Sequence, residues 1–310
     1  MARTRSDQHS EARFTIQTPT AGSPSATFND LLALMRMDRP VGTLLLLWPT
    51  LAALWAAADT VPPIELLIVF SLGTLFMRSA GCVANDIADR DFDGHVERTA
   101  DRPLAAGRVT LTAAIALLAV LLLLSASLLL VLNPLSRWLS LAGLLLALTY
   151  PFFKRFTYFP QVPLGAAFSW GLILAFAAVR AEVPQHAWLL FFASLIWIVA
   201  YDTYYAMVDR NDDIKIGIKS TALLFGSADR TIILSLQGTA LVAFALFGRE
   251  AGYQGPYYLG LVVMGGLFAY QYRLTRMRDR TACFAAFKNN VWAGFALFAG
   301  TALEVSLVSA

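Results

Sequence analysis

Apolar residues fill most of this chain in blocks of about the length that a bilayer-crossing helix needs, roughly 20 residues, with short charged segments between them. Nine blocks stand out, at 40–58, 64–84, 110–132, 136–150, 163–181, 187–207, 230–248, 256–272 and 284–308. Each predicts a spanning helix. Pro134 separates the third from the short fourth, because proline disfavours helical geometry in the residue before it. Pro49 predicts a kink inside the first. The first 27 residues differ: they are polar and rich in Ser, Thr, Pro and Gly. They lack the apolar core of a signal peptide. Arg3, Arg5 and Arg13 hint at a transit peptide, and Asp7 and Glu11 argue against it. The expected organisation is a disordered cytoplasmic extension, 1–27, followed by one membrane domain, 28–310.

Composition agrees, with 57% hydrophobic and 15% charged residues over 310 positions. That is an integral membrane protein, with the lipid bilayer as its principal partner. No basic tract suggests nucleic acid, and no obligatory protein partner is evident. Cys82 and Cys283 show neither metal spacing nor a disulfide framework and read as buried apolar residues. His9, His95 and His186 are too scattered to form a ligand set.

The arrangement of charge says more than the net value of +3. The N-terminus and the segments 85–109, 150–161, 208–230 and 272–288 carry 20 of the 24 Lys and Arg, whereas the opposite loops carry only Arg137, Arg180 and Arg249. By the positive-inside rule the rich side is cytoplasmic. Arg78 is the exception, lying within the second block, where a buried cation needs an anion from protein or substrate.

Two acidic clusters fall on that same side. The first holds Asn85, Asp86, Asp89, Asp91 and Asp93; the second holds Asp202, Asp209, Asp212 and Asp213. Carboxylates are costly beside a bilayer and mark functional sites there. One reading is ordinary solvated loops, since Arg90, Arg98 and Arg102 interleave with the acids. The other is a divalent metal holding an anionic substrate, because hard cations such as Mg²⁺ take oxygen ligands and bridge to phosphates. Two clusters on one side, each after a corresponding block, favour the second reading. Asn85, Asp89 and Asp93 are spaced i, i+4, i+8 and share one face if the helix continues; Asp202, Asp209 and Asp213 repeat the logic. Each cluster is trailed by a Thr-Ala pair and a glycine (Thr99-Ala100 with Gly107, Thr221-Ala222 with Gly226), which suggests a duplicated four-helix unit plus one helix. Arg39, Arg102, Lys154, Arg155 and Lys219 are candidate phosphate contacts. Tyr201, Tyr204 and Tyr205 flank Asp202 and could line the site by cation–π interaction, although an interfacial aromatic belt is the simpler reading for most aromatics here.

Asn85-Asp-x-x-Asp89-x-x-x-Asp93, with Gly94-His95 and Arg98-Thr-Ala-Asp-Arg-Pro-Leu104, resembles the first signature of the UbiA-type intramembrane aromatic prenyltransferases. Tyr201-Asp-Thr-x-Tyr-Ala-Met-Val-Asp209-Arg-x-Asp-Asp213, continuing to Ile-Gly-Ile-Lys219-Ser-Thr-Ala, resembles the second. Leu44-Leu-Leu-Leu-Trp-Pro-Thr50 and Tyr150-Pro-Phe-Phe-Lys-Arg-Phe-Thr-Tyr158 extend the likeness over nearly all the chain from residue 28, and point to the 4-hydroxybenzoate polyprenyltransferase branch. Asp101 departs from the Asn expected before Arg-Pro. The resemblance implies an all-α fold of nine transmembrane helices around a central cavity, under a cytoplasmic cap of two acidic loops. It implies Mg²⁺-dependent transfer of a polyprenyl chain from polyprenyl diphosphate to 4-hydroxybenzoate in ubiquinone synthesis. Carried over by motif, Asn85, Asp89, Asp209 and Asp213 would hold Mg²⁺ and diphosphate, with Asp86 and Asp93 in support; Arg39, Lys154 and Lys219 would contact phosphate, and Asp202 would act near the acceptor. Asp202, Asp89 and Asp209 are then the catalytic candidates, and Arg78, Arg102 and Tyr205 further substrate contacts. A bacterial inner membrane is the expected location, with the active-site side cytoplasmic.

Two rivals stay open at this stage. A family member with another aromatic acceptor would share both signatures. A secondary transporter would share the spans, pseudo-repeat and buried charges, though transporter sites lie near the midplane rather than at helix ends.

Overall fold

A computed structural model describes residues 26–94 and 98–308. The expected extension 1–27 therefore falls almost wholly outside the described residues, as does His95. Among the described residues every regular element is helical. In chain order these are α1 (Phe28–Leu34), α2 (Val41–Ala58), α3 (Ile64–Asp93), α4 (Leu111–Leu128), α5 (Pro134–Thr149), α6 (Gln161–Arg180), α7 (Gln185–Ile216), α8 (Thr221–Phe225), α9 (Asp229–Glu250), α10 (Gly255–Leu274) and α11 (Arg280–Val308).

The nine predicted blocks map one to one onto α2–α7 and α9–α11. Among the described residues eight spans are long and apolar enough to cross a bilayer; α10 is long enough, but Tyr at both ends and Gln271 near its C-terminal end dilute its apolar character. The protein is a multi-pass membrane protein. Pro49 lies inside α2, whose helix continues through it. Asn133 caps α5, accepting from the Ser136 amide at 2.9 Å, with Pro134 in the first turn, where its missing N–H costs nothing.

Two helices exceed the blocks that predicted them. The apolar runs stop near residues 84 and 207, but α3 has 30 residues and α7 has 32. At 1.5 Å per residue these measure about 45 and 48 Å, against a hydrocarbon core of about 30 Å. Their last turns therefore project beyond the lipid, and those turns carry the acids. The expectation of acidic loops is corrected here: both clusters are helical. What lies between α3 and α4 as loop is 98–110, tied to the end of α3 through Thr99 Oγ1, which donates to the Asp93 carbonyl at 2.8 Å.

The main core is built where α2, α6, α7, α9 and α11 meet, around Leu54, Phe176, Trp197, Phe244 and Leu297. α7 is the central element, packing on α6, α9 and α11. In contrast, α4 packs on α3 and α5 on α6. This divergence of two consecutive helices leaves an open space on one side of the molecule.

Candidate active site

Two cavities meet at Tyr150, which lines both. The first, about 190 Å³, is polar and opens at the projecting ends of α3 and α7. Asn85, Asp89 and Asp93 enter it from α3; Asp202, Tyr205, Asp209 and Asp213 enter from α7; Arg98, Arg102, Lys154 and Lys219 come from the intervening segments. The second, about 270 Å³, is apolar and runs between α3, α4, α5 and α6 beneath the first. Its lining includes Phe70, Met77, Leu129 and Phe168, and Leu141, 49% exposed, stands at its rim.

Spacing explains the polar mouth. Asn85 and Asp89 stack one turn apart, and the Asn85 amide donates to Asp89 Oδ2 at 3.0 Å. The same Asp89 oxygen receives the Lys154 ammonium, while Asp89 Oδ1 is buried with no hydrogen-bond partner. Asp209 accepts from Arg98 Nη2 at 2.6 Å and from its Nε at 2.9 Å, so the 98–110 loop reaches across from α3 to α7. The Arg98 guanidinium also lies 4.6 Å over the Tyr205 ring. Arg102 Nη1 donates to Asp93 at 2.8 Å and to Asp86 at 2.9 Å. Burial disfavours the charge of Arg102, but Asp86 and Asp93 outweigh it and hold its pKa above the ordinary guanidinium value. On the far wall, the Lys219 amide donates to the Lys154 carbonyl at 3.1 Å, and the Lys219 ammonium donates to the Phe156 carbonyl at 3.2 Å.

Of the residues singled out from sequence, Asn85, Asp89, Asp93, Arg102, Lys154, Asp202, Tyr205, Asp209, Asp213 and Lys219 line the polar cavity. Three do not. Asp86, 1% exposed, faces away and binds Arg36 and Arg102. Arg39 is well exposed and pairs with Asp38 at 3.3 Å. Arg78 lines the apolar cavity just below the mouth. Its Nε is buried without a partner, it lies 5.5 Å over Phe168, and it forms no salt bridge among the described residues, although Asp202 is near enough to feel its charge. Tyr201 and Tyr204 are packed into the core, leaving Tyr205 as the member of that trio at the site. Sequence reasoning missed Arg36 and passed over Arg98. The signal for Arg98 was available in the Arg-Thr-Ala-Asp-Arg-Pro string; Arg36 stood three residues from the Arg39 chosen instead, with nothing in the pattern to separate them.

The donor set is carboxylate and amide oxygen, which suits a hard divalent ion, and the orphaned Asp89 Oδ1 is an available ligand. Among the described residues no three His, Cys, Asp or Glu side chains enclose an ion by themselves. Mg²⁺ is ordinarily held by one or two carboxylates together with substrate phosphates, so the mouth fits an ion that arrives with a diphosphate.

A model of the UbiA prenyltransferase family matches residues 46–298. The chain is similar to 4-hydroxybenzoate octaprenyltransferase of Pseudomonas aeruginosa (strain UCBPP-PA14), 54% identical over 278 residues, which are 90% of this chain and 94% of that protein. In fold it is similar to the apo structure of a UbiA homolog from Aeropyrum pernix K1, with a TM-score of 0.75 at 24% identity, over 83% of this chain and 96% of that one. It is also similar to a UbiA homolog from Archaeoglobus fulgidus bound to GPP and Mg²⁺, with a TM-score of 0.70 at 18% identity, over 89% of this chain and 99% of that one. At these identities the two structures speak for the fold alone.

Proposed function

The chain belongs to the UbiA prenyltransferase family, and from that premise we propose that it transfers a polyprenyl chain from polyprenyl diphosphate to the ring carbon ortho to the hydroxyl of 4-hydroxybenzoate, in ubiquinone synthesis. The observation that carries this reading is the pair of adjacent cavities that share Tyr150, one polar and ringed by acids and cations, the other apolar and lined by the spanning helices. Their combined character, polar then apolar, suits a diphosphate with a hydrocarbon tail. The relatives' name makes the octaprenyl chain the donor to try first.

In this reading the donor's diphosphate lies in the mouth with Mg²⁺, held by Asn85, Asp89, Asp209 and Asp213 with Asp93 beside them. The ion supplies charge neutralisation for the departing pyrophosphate. Lys154, Lys219, Arg98 and Arg102 add donors aimed at the same oxygens, a stabilisation that grows as the allylic C–O bond breaks. The tail lies in the apolar cavity, where each buried CH₂ is worth about 0.8 kcal/mol over water. The bond to be broken then sits near Tyr150, at the junction. Arg78 is the cation at that junction that forms no salt bridge among the described residues, and the carboxylate of 4-hydroxybenzoate is the anion it would pair with. This places the phenol ring toward Asp202 and Tyr205. Asp202 stabilises the allylic cation or assists loss of a proton from the phenol. The ring carbon ortho to the hydroxyl attacks to form the new C–C bond, and loss of the proton from that carbon to a base restores the aromatic ring, so that pyrophosphate and one proton leave. Exclusion of water by the apolar walls protects the cation from quenching. The mouth faces the cytoplasm, in a bacterial inner membrane.

Detergent-purified protein, Mg²⁺, octaprenyl diphosphate and a panel of aromatic acceptors test this. The expected result is a product with 4-hydroxybenzoate that disappears with chelator. Turnover of another acceptor in its place would assign the sister activity, and solute flux without any product would sink the transferase reading.

A further inference from the structure

Asp86 follows Asn85 by one residue, which turns it about 100° around α3 and away from the surface that lines the mouth. Both of its oxygens accept from Arg36 Nη2 at 2.9 Å, and one also accepts from Arg102 Nη1 at 2.9 Å. Arg102 carries the link onward to Asp93. Arg36, Asp86, Arg102 and Asp93 thus form a chain of alternating charge. It begins outside the cavity and ends in it.

Arg36 occupies a left-handed backbone conformation, with φ at 57°. Residues bearing a Cβ avoid that region, and persist there where surrounding contacts over-determine them, most often at functional sites. The turn it makes after α1 sends Nη1 back to the Ala33 carbonyl at 2.7 Å and Nη2 inward to Asp86. A second tie runs alongside: Arg108 donates to Asp30 at 2.9 Å and to the Asp101 carbonyl at 2.8 Å. Between the two, Leu34 is fully buried in a cluster with Ala80 and Val83 of α3 and Leu104 and Val109 of the loop. α1, the 98–110 loop and the end of α3 are therefore one packed piece, yet no residue of α1 lines the cavity.

From this geometry we infer that Asp86 and Arg36 are positioning residues rather than metal ligands. They fix the Arg102 guanidinium at the mouth, where it meets the diphosphate, and they make α1 a working part of the donor site. Without Asp86, Arg102 keeps Asp93 as its one carboxylate partner among the described residues and loses the second contact that fixes its orientation; without Arg36, Asp86 loses the guanidinium that holds both of its oxygens. The inference rests on the diphosphate reading given above.

Full-length protein in nanodiscs carries the test, with inorganic pyrophosphate as the anion probe and Mn²⁺, followed by its spin resonance, as the metal probe. Arg36→Gly suits the left-handed backbone and removes the guanidinium without stressing the turn. Asp86→Asn is the companion variant, and Asp89→Asn the comparison for a true ligand. Arg36→Gly and Asp86→Asn are expected to weaken pyrophosphate binding about tenfold, the usual scale for losing a supporting partner, and to raise KM for the prenyl diphosphate more than they lower kcat. Mn²⁺ should still bind to both when pyrophosphate saturates, and should be lost from Asp89→Asn. Loss of Mn²⁺ from Asp86→Asn would make Asp86 a ligand and overturn the inference. So would unchanged pyrophosphate affinity in Arg36→Gly. If the wild-type protein bound no pyrophosphate, it is the donor-site reading that would fail, and the two failures are distinguishable.

Discussion

At the end of α3 each acid at or beside the mouth is matched by a cation from another element: Asp86 by Arg36 and Arg102, Asp89 by Lys154, Asp93 by Arg102. At the end of α7 the company is thinner. Asp209 has Arg98, and Asp212 turns to Arg280 and Lys215. Asp202 and Asp213 form no ion pair among the described residues, although Asp213 is buried and Asp202 half-buried. A buried carboxylate without a direct ion pair is expensive; Arg78 and Arg98 act on Asp202, and Lys154 and Arg98 on Asp213, only through space. α3 therefore behaves as a pre-braced wall, and α7 as the more loosely paired one. Asp202 precedes Asp209 by about 10 Å of helix, at 1.5 Å per residue, which sets it toward the apolar cavity. A threonine follows each cluster and ties back to the helix before it: Thr99 bonds to the Asp93 carbonyl, and Thr221 meets the Thr203 hydroxyl of α7 at 2.8 Å. The clusters differ in what surrounds the acids.

The largest effect should fall equally on both walls. Asp89→Ala and Asp209→Ala should each lower kcat/KM by at least about a thousandfold, the equivalent of the several kcal/mol that charge neutralisation supplies, while the protein still inserts and elutes as a folded species. Near-normal activity with Mg²⁺ still required would remove either residue from the metal site. Asp202→Asn separates the walls: kcat should fall about a hundredfold, the low end for a lost acid–base group, with KM for the prenyl diphosphate unchanged. A shift in that KM instead would move Asp202 to the donor. Lys219→Ala should raise KM for the diphosphate about tenfold, as for one lost charge-assisted hydrogen bond, and leave the acceptor's KM alone; equal shifts in both would count against its place at the phosphate. The smallest effects should come from the anchors. Thr99→Val and Thr221→Val should cost about 1–2 kcal/mol each in stability, read from unfolding in detergent. Thr221→Val is expected to cost the more, since it strips a partner from the buried Thr203 hydroxyl.

Hydropathy alone was enough to place the long helices, because lipid imposes a length that composition must obey. It misplaced the ends of α3 and α7, since an apolar run ends where lipid ends, whereas a helix ends where its hydrogen bonding does. The polar lining of the mouth was legible from helical spacing, as Asn85, Asp89 and Asp93 show. Asp86 was not, because a one-residue offset that turns a side chain away from a cavity carries no mark in composition. Arg36 and Arg39 look alike in sequence; only the left-handed turn after α1 decides which of them points inward.

In the proposed reaction, a polar chamber and an apolar chamber that share Tyr150 give the leaving anion and the greasy product separate doors. One is released to an aqueous phase, where dilution carries it off; the other partitions into oil. Recombination then requires a meeting across a phase boundary, so the architecture itself biases the reaction forward without any further moving part.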